Sequence, residues 1–449
     1  MVENAAARVP ARSGAWEAVD QSEDKLAAVP KRPSLLNAFG WISIGTLSYT
    51  GAQFVYVVLI ARILGAEAVG EYGLAQAVSA PIFMLAHMQL RRLAATDVRN
   101  EFPLSAYLLV QVISGAVGVG LVVSLGAIAY PEILGLLLGV ALFKWTEALS
   151  FIAFGVMQRR GEMKTLGVSM VFRGITTIPV VAVALLTTRS VTVAVFASVA
   201  LAATFLLAYD LPNLRRRGEG PLGRSGLDRA GLTRLLRLGL PAGGRTGLTS
   251  LTTVLPRYVL EYFAGMRAVG LFMALFQLIQ LCAAANQSVI NAILSRMSQH
   301  YHDGPRQFIS FLGKVLLAAS GAATVMVLLG YFFRNPIISS IYGSDFSALA
   351  PLLPLFLAVA GLRLLLGAFT AASVSMRLLT QELFLMIPTL ASAALLSLIL
   401  IPRFGIAGAG WALLGSTLVN VLCLAILVGR NVMRKLRESE TLSDAKPAN

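Results

Sequence analysis

Twelve stretches of this chain are each long and apolar enough to cross a bilayer, and no other property restricts its fold so tightly. They run roughly over 37–61, 72–90, 104–129, 133–157, 166–187, 191–210, 239–262, 269–294, 308–333, 347–374, 381–401 and 405–429. A helix needs about 20 mostly apolar residues to span the hydrocarbon core. No water is available there to solvate a bare backbone, so each stretch must close its own hydrogen bonds as a helix. Composition agrees: 57 % of the 449 residues are hydrophobic and 13 % charged, where about 25 % charged is usual for a soluble domain. So few charges cannot cover a soluble surface, which excludes soluble, fibrous and disordered classes. It also turns the net charge of +15 from a nucleic-acid signal into a question of where the cations lie.

Of the 37 Lys and Arg residues, 27 fall in the tails and every second connection, counting Lys314 at the start of span nine with them, five in the opposite connections (Arg62, Arg189, Arg267, Arg334 and Arg403), and five elsewhere inside spans. This asymmetry is the positive-inside signature, and it predicts an even number of spans with both termini cytoplasmic. Residues 1–34 have no apolar run and no secretory-signal pattern, and are expected to be a disordered cytoplasmic tail. Spans one to six form an N-lobe over 35–210, a basic cytoplasmic linker covers 211–238, spans seven to twelve form a C-lobe over 239–430, and 431–449 is a second cytoplasmic tail. Cys282 and Cys423 both lie within apolar runs and read as small core residues.

The halves repeat. Leu64-Gly65-Ala66-Glu67-Ala68-Val69-Gly70-Glu71-Tyr72 follows span one, and Ala264-Gly265-Met266-Arg267-Ala268-Val269-Gly270-Leu271-Phe272 follows span seven, at an offset of 200. Two six-span halves in the same orientation imply a parallel repeat about an axis along the membrane normal. The expected fold is therefore all-α and integral to the membrane, with about 12 transmembrane helices in two pseudo-symmetric six-helix lobes around a central cleft.

The turn Ala61-Arg62-Ile63-Leu64-Gly65-Ala66-Glu67-Ala68-Val69-Gly70-Glu71-Tyr72-Gly73-Leu74, with Gly405-Ile406-Ala407-Gly408-Ala409-Gly410-Trp411-Ala412 before the last span, resembles elements of bacterial polysaccharide flippases. These are the Wzx-like polysaccharide transporters of the multidrug/oligosaccharidyl-lipid/polysaccharide flippase superfamily. The resemblance implies a two-lobed bundle that moves a lipid-linked oligosaccharide across the inner (cytoplasmic) membrane by alternating access, for surface polysaccharide biosynthesis. It further implies a polyprenyl-linked glycan as substrate, with glycosyltransferases and a polymerase of the same pathway as partners. No cofactor is implied beyond a coupling ion, H⁺ or Na⁺, for which the superfamily has precedent.

Ionisable residues inside spans are costly, at least about 2.5–3.5 kcal/mol each at mid-membrane, and mark function. The candidates here are Lys144 and Glu147 in span four, Arg173 in span five, Arg245 and Arg257 in span seven, and Arg363 in span ten. Five cations against one carboxylate leave an excess of four, which calls for an anion. Guanidinium forks suit phosphate oxygens, so Lys144, Arg173, Arg245, Arg257 and Arg363 are the candidate pyrophosphate-binding cations, with Lys144 and Arg173 the deepest. Lys144 and Glu147, three residues apart, share a helix face; Glu147 either neutralises Lys144 or is a protonatable coupling site. Gln53, Gln76, Gln277, Gln280 and Asn286 are amides suited to sugar hydroxyls or to hydrogen bonds between helices. No spacing of His, Cys or carboxylates suggests a metal site.

Two other classes compete. A multidrug or cation antiporter of the same superfamily would carry more intramembrane carboxylates than cations, the reverse of this pattern. A membrane polysaccharide polymerase would need catalytic groups on sizeable outer loops, and the outer connections here are short.

Overall fold

The computed structural model describes residues 35–97, 99–215 and 228–444. The expected tail over 1–34, the central part of the linker and the last five residues lie outside them. Among the described residues the regular structure is helical, without strands. The helices are α1 (Leu35–Leu64), α2 (Ala66–Ala86), α3 (Leu104–Ala129), α4 (Leu134–Arg159), α5 (Met163–Thr188) and α6 (Val191–Phe205). After α6 come a π-helical turn at Leu206–Asp210 and a last turn at Leu211–Arg215. One continuous run, Arg229–Asp303, breaks at Gly265 into α7 (229–264) and α8 (266–303). Next are α9 (Pro305–Phe332) and α10 (Leu353–Ser375), and a second run, Leu379–Asp444, breaks at Gly405 into α11 (379–404) and α12 (406–444).

Among the described residues nine helices are long and apolar enough to cross a membrane, and two of these are the runs broken at glycine. With α2, which Glu67, Glu71 and Gln76 make less apolar, the segments number twelve. Outward stripes such as Val117, Leu121, Leu125 and Ile128 on α3 are exposed, as hydrocarbon-facing residues should be.

The repeat is written into the backbone. Gly65 (φ 87°, ψ −173°) and Gly265 (φ 79°, ψ 176°) adopt the same conformation, one closed to side chains with a Cβ. Five residues on, a Cβ at Gly70 would lie 2.0 Å from the Met266 carbonyl oxygen, and one at Gly270 would lie 1.7 Å from the Ala66 carbonyl oxygen. The starts of α2 and α8 thus cross with backbones in contact, each through the other's glycine.

Three cores show how the lobes meet. At the end of the bundle bearing Gly65 and Gly265, a single core joins both lobes, with Val57, Ile60 and Val69 of the first and Leu260, Phe272 and Phe356 of the second. At the other, basic end the core divides in two, that of the N-lobe also taking in Leu235 from the start of α7. One gathers Leu90, Tyr107, Phe154 and Leu166; the other gathers Met297, Phe308, Ala372 and Val428. The lobes are fused at one end and diverge at the other.

Two expectations need correction. The stretch from 431, read as a tail, continues α12 to Asp444, because Met433, Arg434, Lys435, Leu436 and Arg437 are good helix formers and Lys435 donates to the Tyr301 carbonyl of α8. The linker also shrinks, since α7 starts at Arg229, capped by the Asp228 side chain accepting from the Ala230 amide.

Candidate functional site

Between the diverging lobes lies a cavity of about 1170 Å³. Its lining begins near Tyr56, Tyr72 and Val195, one to two turns inside the fused end, and reaches Arg92 and Thr96 at the basic end. Its first wall is neutral: Tyr49, Gln53 and Tyr56 of α1, spaced four and three residues apart, share a face with the same outlook as Tyr72 and Gln76 of α2. Tyr56 and Tyr72 stack, with ring centroids 5.2 Å apart, and Gln76 donates to the Tyr72 hydroxyl at 2.8 Å. The wall from the C-lobe is cationic.

Each cation has a distinct environment. Lys144 lines the cavity and lies 3.7 Å from Glu147. Glu147 is not in the lining; it is buried behind Tyr49, whose hydroxyl donates to it. Arg245 lines the mouth and donates to Glu382 of α11 at 2.7 Å. Thr246, the next residue, donates to the Met84 carbonyl of α2 at 3.0 Å, so α7 reaches both lobes at this end.

Arg173 departs from expectation. It does not line the cavity but is buried within the N-lobe, ion-paired with Asp210 and donating to Ser150 Oγ at 2.8 Å. Its guanidinium lies 5.6 and 5.5 Å from the ring centroids of Phe154 and Phe205. Ser169 donates to the second Asp210 oxygen at 2.9 Å. The cluster is a lock between α4, α5 and the π-helical turn, and its depth reflects packing rather than a ligand.

Asp210 and Glu382 change the charge balance. Both lie at helix ends and are missing from the five-to-one count of charges, and both neutralise an intramembrane cation. Among the described residues, three of the five cations are paired with carboxylates and two are not. Those two, Arg257 of α7 and Arg363 of α10, both line the cavity. They flank one ring of α8: the guanidinium carbons of Arg257 and Arg363 lie 4.6 and 5.6 Å from the Phe276 centroid. Arg257 is 5 % exposed and its Nε has no hydrogen-bond partner. The cation–π contacts stabilise these charges without neutralising them. The expected excess of four is thus an excess of two, gathered on the C-lobe wall.

The amides fall where they can serve a sugar. Gln53, Gln76, Gln277, Gln280 and Asn286 all line the cavity. Gln280 accepts from Arg363 at 3.2 Å, and Asn286 donates to the Arg363 carbonyl at 3.3 Å. The Gln277 amide reaches the Gln53 carbonyl at 3.5 Å, across the lobes. The arrangement pairs a neutral aromatic and amide wall with a doubly cationic one, a site for a molecule that is polar at one end and anionic at the other.

A family model described as "Polysaccharide biosynthesis protein" matches residues 35–284. Among curated proteins, the capsular polysaccharide biosynthesis protein CapF of Staphylococcus aureus is 20 % identical over 326 residues, covering 70 % of this chain and 78 % of that one. Among solved structures, the lipid II flippase MurJ in an inward closed conformation superposes with a TM-score of 0.70 at 14 % identity, over 91 % of this chain and 93 % of that one. An outward-facing multidrug resistance transporter of the MATE family superposes with a TM-score of 0.62 at 15 % identity, over 89 % and 96 %. A Pyrococcus furiosus transporter of the MOP superfamily, described as having a binding pocket of reversed polarity, superposes with a TM-score of 0.62 at 14 % identity, over 90 % and 97 %. These structures share the two-lobed fold, and the chain is a multi-pass membrane protein of that architecture.

Proposed function

The chain belongs to the polysaccharide biosynthesis protein family, and from that premise we propose that it is a flippase that moves a polyprenyl-pyrophosphate-linked oligosaccharide across the cytoplasmic membrane by alternating access. It acts as a transporter rather than an enzyme, and its product feeds the assembly of a surface polysaccharide. The observation that carries this reading is the pair Arg257 and Arg363, two guanidinium groups without a carboxylate partner among the described residues, lining one cavity. A pyrophosphate, with oxygens matched to guanidinium forks, is the complementary group. The amides and tyrosines of α1 and α2 face the sugars attached to it.

Size supports the same ligand. Pockets for drug-sized molecules run to about 300–1,000 Å³, and this cavity of about 1170 Å³ exceeds that range. A cationic drug would in addition meet two unpaired positive charges, since Glu147 and Glu382 are each held by a cation. The positive-inside distribution supports placing both termini, and with them the cavity mouth, on the cytoplasmic face. Lipid-linked glycan assembled there by glycosyltransferases could enter directly, with a polymerase receiving it on the far side. Glu147, buried behind the cavity wall and bonded there to Lys144 and Tyr49, is the group through which an H⁺ or Na⁺ gradient would act.

The test is transport of a lipid-linked oligosaccharide in vesicles containing the full chain or its variants. Arg257→Gln and Arg363→Gln are expected to lower transport at least tenfold each, with membrane insertion unchanged; a hydrogen bond to a charged group contributes about 1.5–3 kcal/mol. Full transport by the double variant would sink the pyrophosphate assignment.

A further inference from the structure

Two turns from Arg257 and Arg363, the C-lobe wall of the cavity changes character. Thr249 stands eight residues before Arg257 on α7, and Thr370 stands seven after Arg363 on α10, each about 11 Å nearer the basic end. Thr389 of α11 and Ser416, Thr417 and Asn420 of α12 line the same cavity. Thr249, Thr389 and Asn420 are 15 or 16 residues from the breaks at Gly265 and Gly405, which puts them at one depth, about 23 Å from those breaks. Thr249 Oγ1 lies 3.6 Å from Met386 Sδ, which joins α7 to α11 at this level. We propose that this bay is a subsite for the sugar next to the pyrophosphate, which donates its hydroxyl or amide hydrogens to these six side chains. The assignment rests on the flippase reading and gives the substrate a direction, pyrophosphate toward the fused end and glycan toward the basic mouth.

The bay offers acceptors. A hydroxyl has one hydrogen to give and two lone pairs, and each of the five hydroxyls here gives its hydrogen to a carbonyl of its own helix. Thr249 donates to Arg245 at 2.9 Å, Thr370 to Leu366 at 2.9 Å and Thr389 to Leu385 at 2.8 Å. Ser416 and Thr417 both donate to Leu413, at 3.2 and 2.7 Å. Their lone pairs are left for a ligand. Asn420 Oδ1 is buried without a hydrogen-bond partner, and it too can only accept. The guanidinium groups two turns away can only donate. One wall thus presents donors at one level and acceptors at the next, and a phosphate rich in acceptors beside a sugar rich in O–H and N–H donors matches that order.

Two other uses of these residues fit less well. Polar side chains in membrane helices commonly bond across to a neighbouring helix, but the carbonyls that these five hydroxyls reach all belong to their own helices. A cation would also seek oxygen ligands, yet none of the six side chains is a carboxylate. Glu382, two turns away on α11, is held by Arg245 at 2.7 Å. The bay has no negative charge to attract an ion, whereas a neutral sugar needs none.

The experiment is native mass spectrometry of the full chain in detergent, titrated with a polyprenyl pyrophosphate that is bare or carries one N-acetylglucosamine. The sugar-bearing lipid should bind about tenfold more tightly than the bare one. Asn420→Leu and the double variant Thr389→Val/Thr417→Val, each close in size to what it replaces, should remove that preference while the bare lipid still binds. Equal affinity of the unmodified protein for the two lipids overturns the proposal, and that comparison needs no variant to fold. A preference that survives in both variants overturns it as well. Exchanging sodium for choline should leave the preference in place; its loss would make the bay a cation site and end the sugar assignment. Arg257→Gln keeps the two readings apart, because it should weaken both lipids alike. Undiminished binding of the bare lipid by that variant tells against the pyrophosphate site, not against the bay.

Discussion

Arg173 and Asp210 form an ion pair inside the N-lobe, with 6 % and 0 % of their side chains exposed. Removing one partner of such a pair leaves a buried, uncompensated charge and costs about 3–5 kcal/mol, whereas replacing both by apolar groups of similar volume is often neutral. Arg173→Ala is therefore expected to lower the thermal midpoint and the amount of inserted protein. Arg173→Met/Asp210→Leu should restore both and transport normally. A stable double variant without transport would return Arg173 to the substrate path.

The fused end has its own tie between lobes. Arg62, at the end of α1, donates through Nε to the Ile341 carbonyl at 2.7 Å and through its other arm to the Ser340 carbonyl, in the last turn of the helix Arg334–Tyr342. Its position in the resemblance-bearing turn suggests an interfacial residue, and the structure adds this bridge to the C-lobe. Because the contact is exposed, its contribution is discounted to about 1 kcal/mol, which is roughly a fivefold change in an equilibrium. Arg62→Ala should shift the population toward separation at this end. Spin labels at Glu67→Cys and Arg267→Cys would report it as growth of a longer-distance peak; an unchanged distance distribution would count against the tie.

The crossing of α2 and α8 leaves no room for a side chain. A β-carbon at Gly270 would lie 1.7 Å from the Ala66 carbonyl oxygen, so Gly270→Val must force the backbones apart, and overpacking of this kind costs about 1–3 kcal/mol or more. The variant should melt at a lower temperature, and Gly70→Val should behave alike because the two positions are equivalent in the repeat. Gly244→Val, at an open position in α7, is the control. Unequal effects at Gly70 and Gly270 would argue that the repeat is not symmetric in its packing.

Much of this architecture is legible in the sequence, because it depends on local pattern. Apolar run length sets the helices, and the offset of 200 between Gly65 and Gly265 announces a turn whose shared backbone conformation the structure displays. The pairing of Lys144 with Glu147 is local and legible; the other two are not, because their partners are distant: Arg173 meets Asp210 37 positions away, and Arg245 meets Glu382 137 positions away. The five-to-one count of charges leaves out Asp210 and Glu382, at helix ends, so it overstates the free positive charge. It names Arg257 and Arg363 as candidates but cannot prefer them. Only the fold shows that Arg173 and Arg245, besides Lys144, have carboxylate partners and that Arg257 and Arg363 share the face of Phe276.

Glu147 offers the sharpest test of how transport is driven. It lies 3.7 Å from Lys144 and accepts a hydrogen bond from Tyr49, so its ionised form holds the Lys144 charge in check at the cavity wall. Protonation would release that charge and add a third cation to Arg257 and Arg363, favouring the anionic substrate; loss of the proton would restore the pair and weaken the site. Glu147→Gln fixes the neutral form. It should retain transport without a gradient, bind the pyrophosphate-bearing substrate more tightly, and lose the acceleration produced by an imposed pH gradient. The measurement is flux in vesicles with and without a pH step, alongside substrate affinity. An unaltered gradient response in Glu147→Gln would reduce Glu147 to a partner that neutralises Lys144, and the coupling group would have to be sought elsewhere.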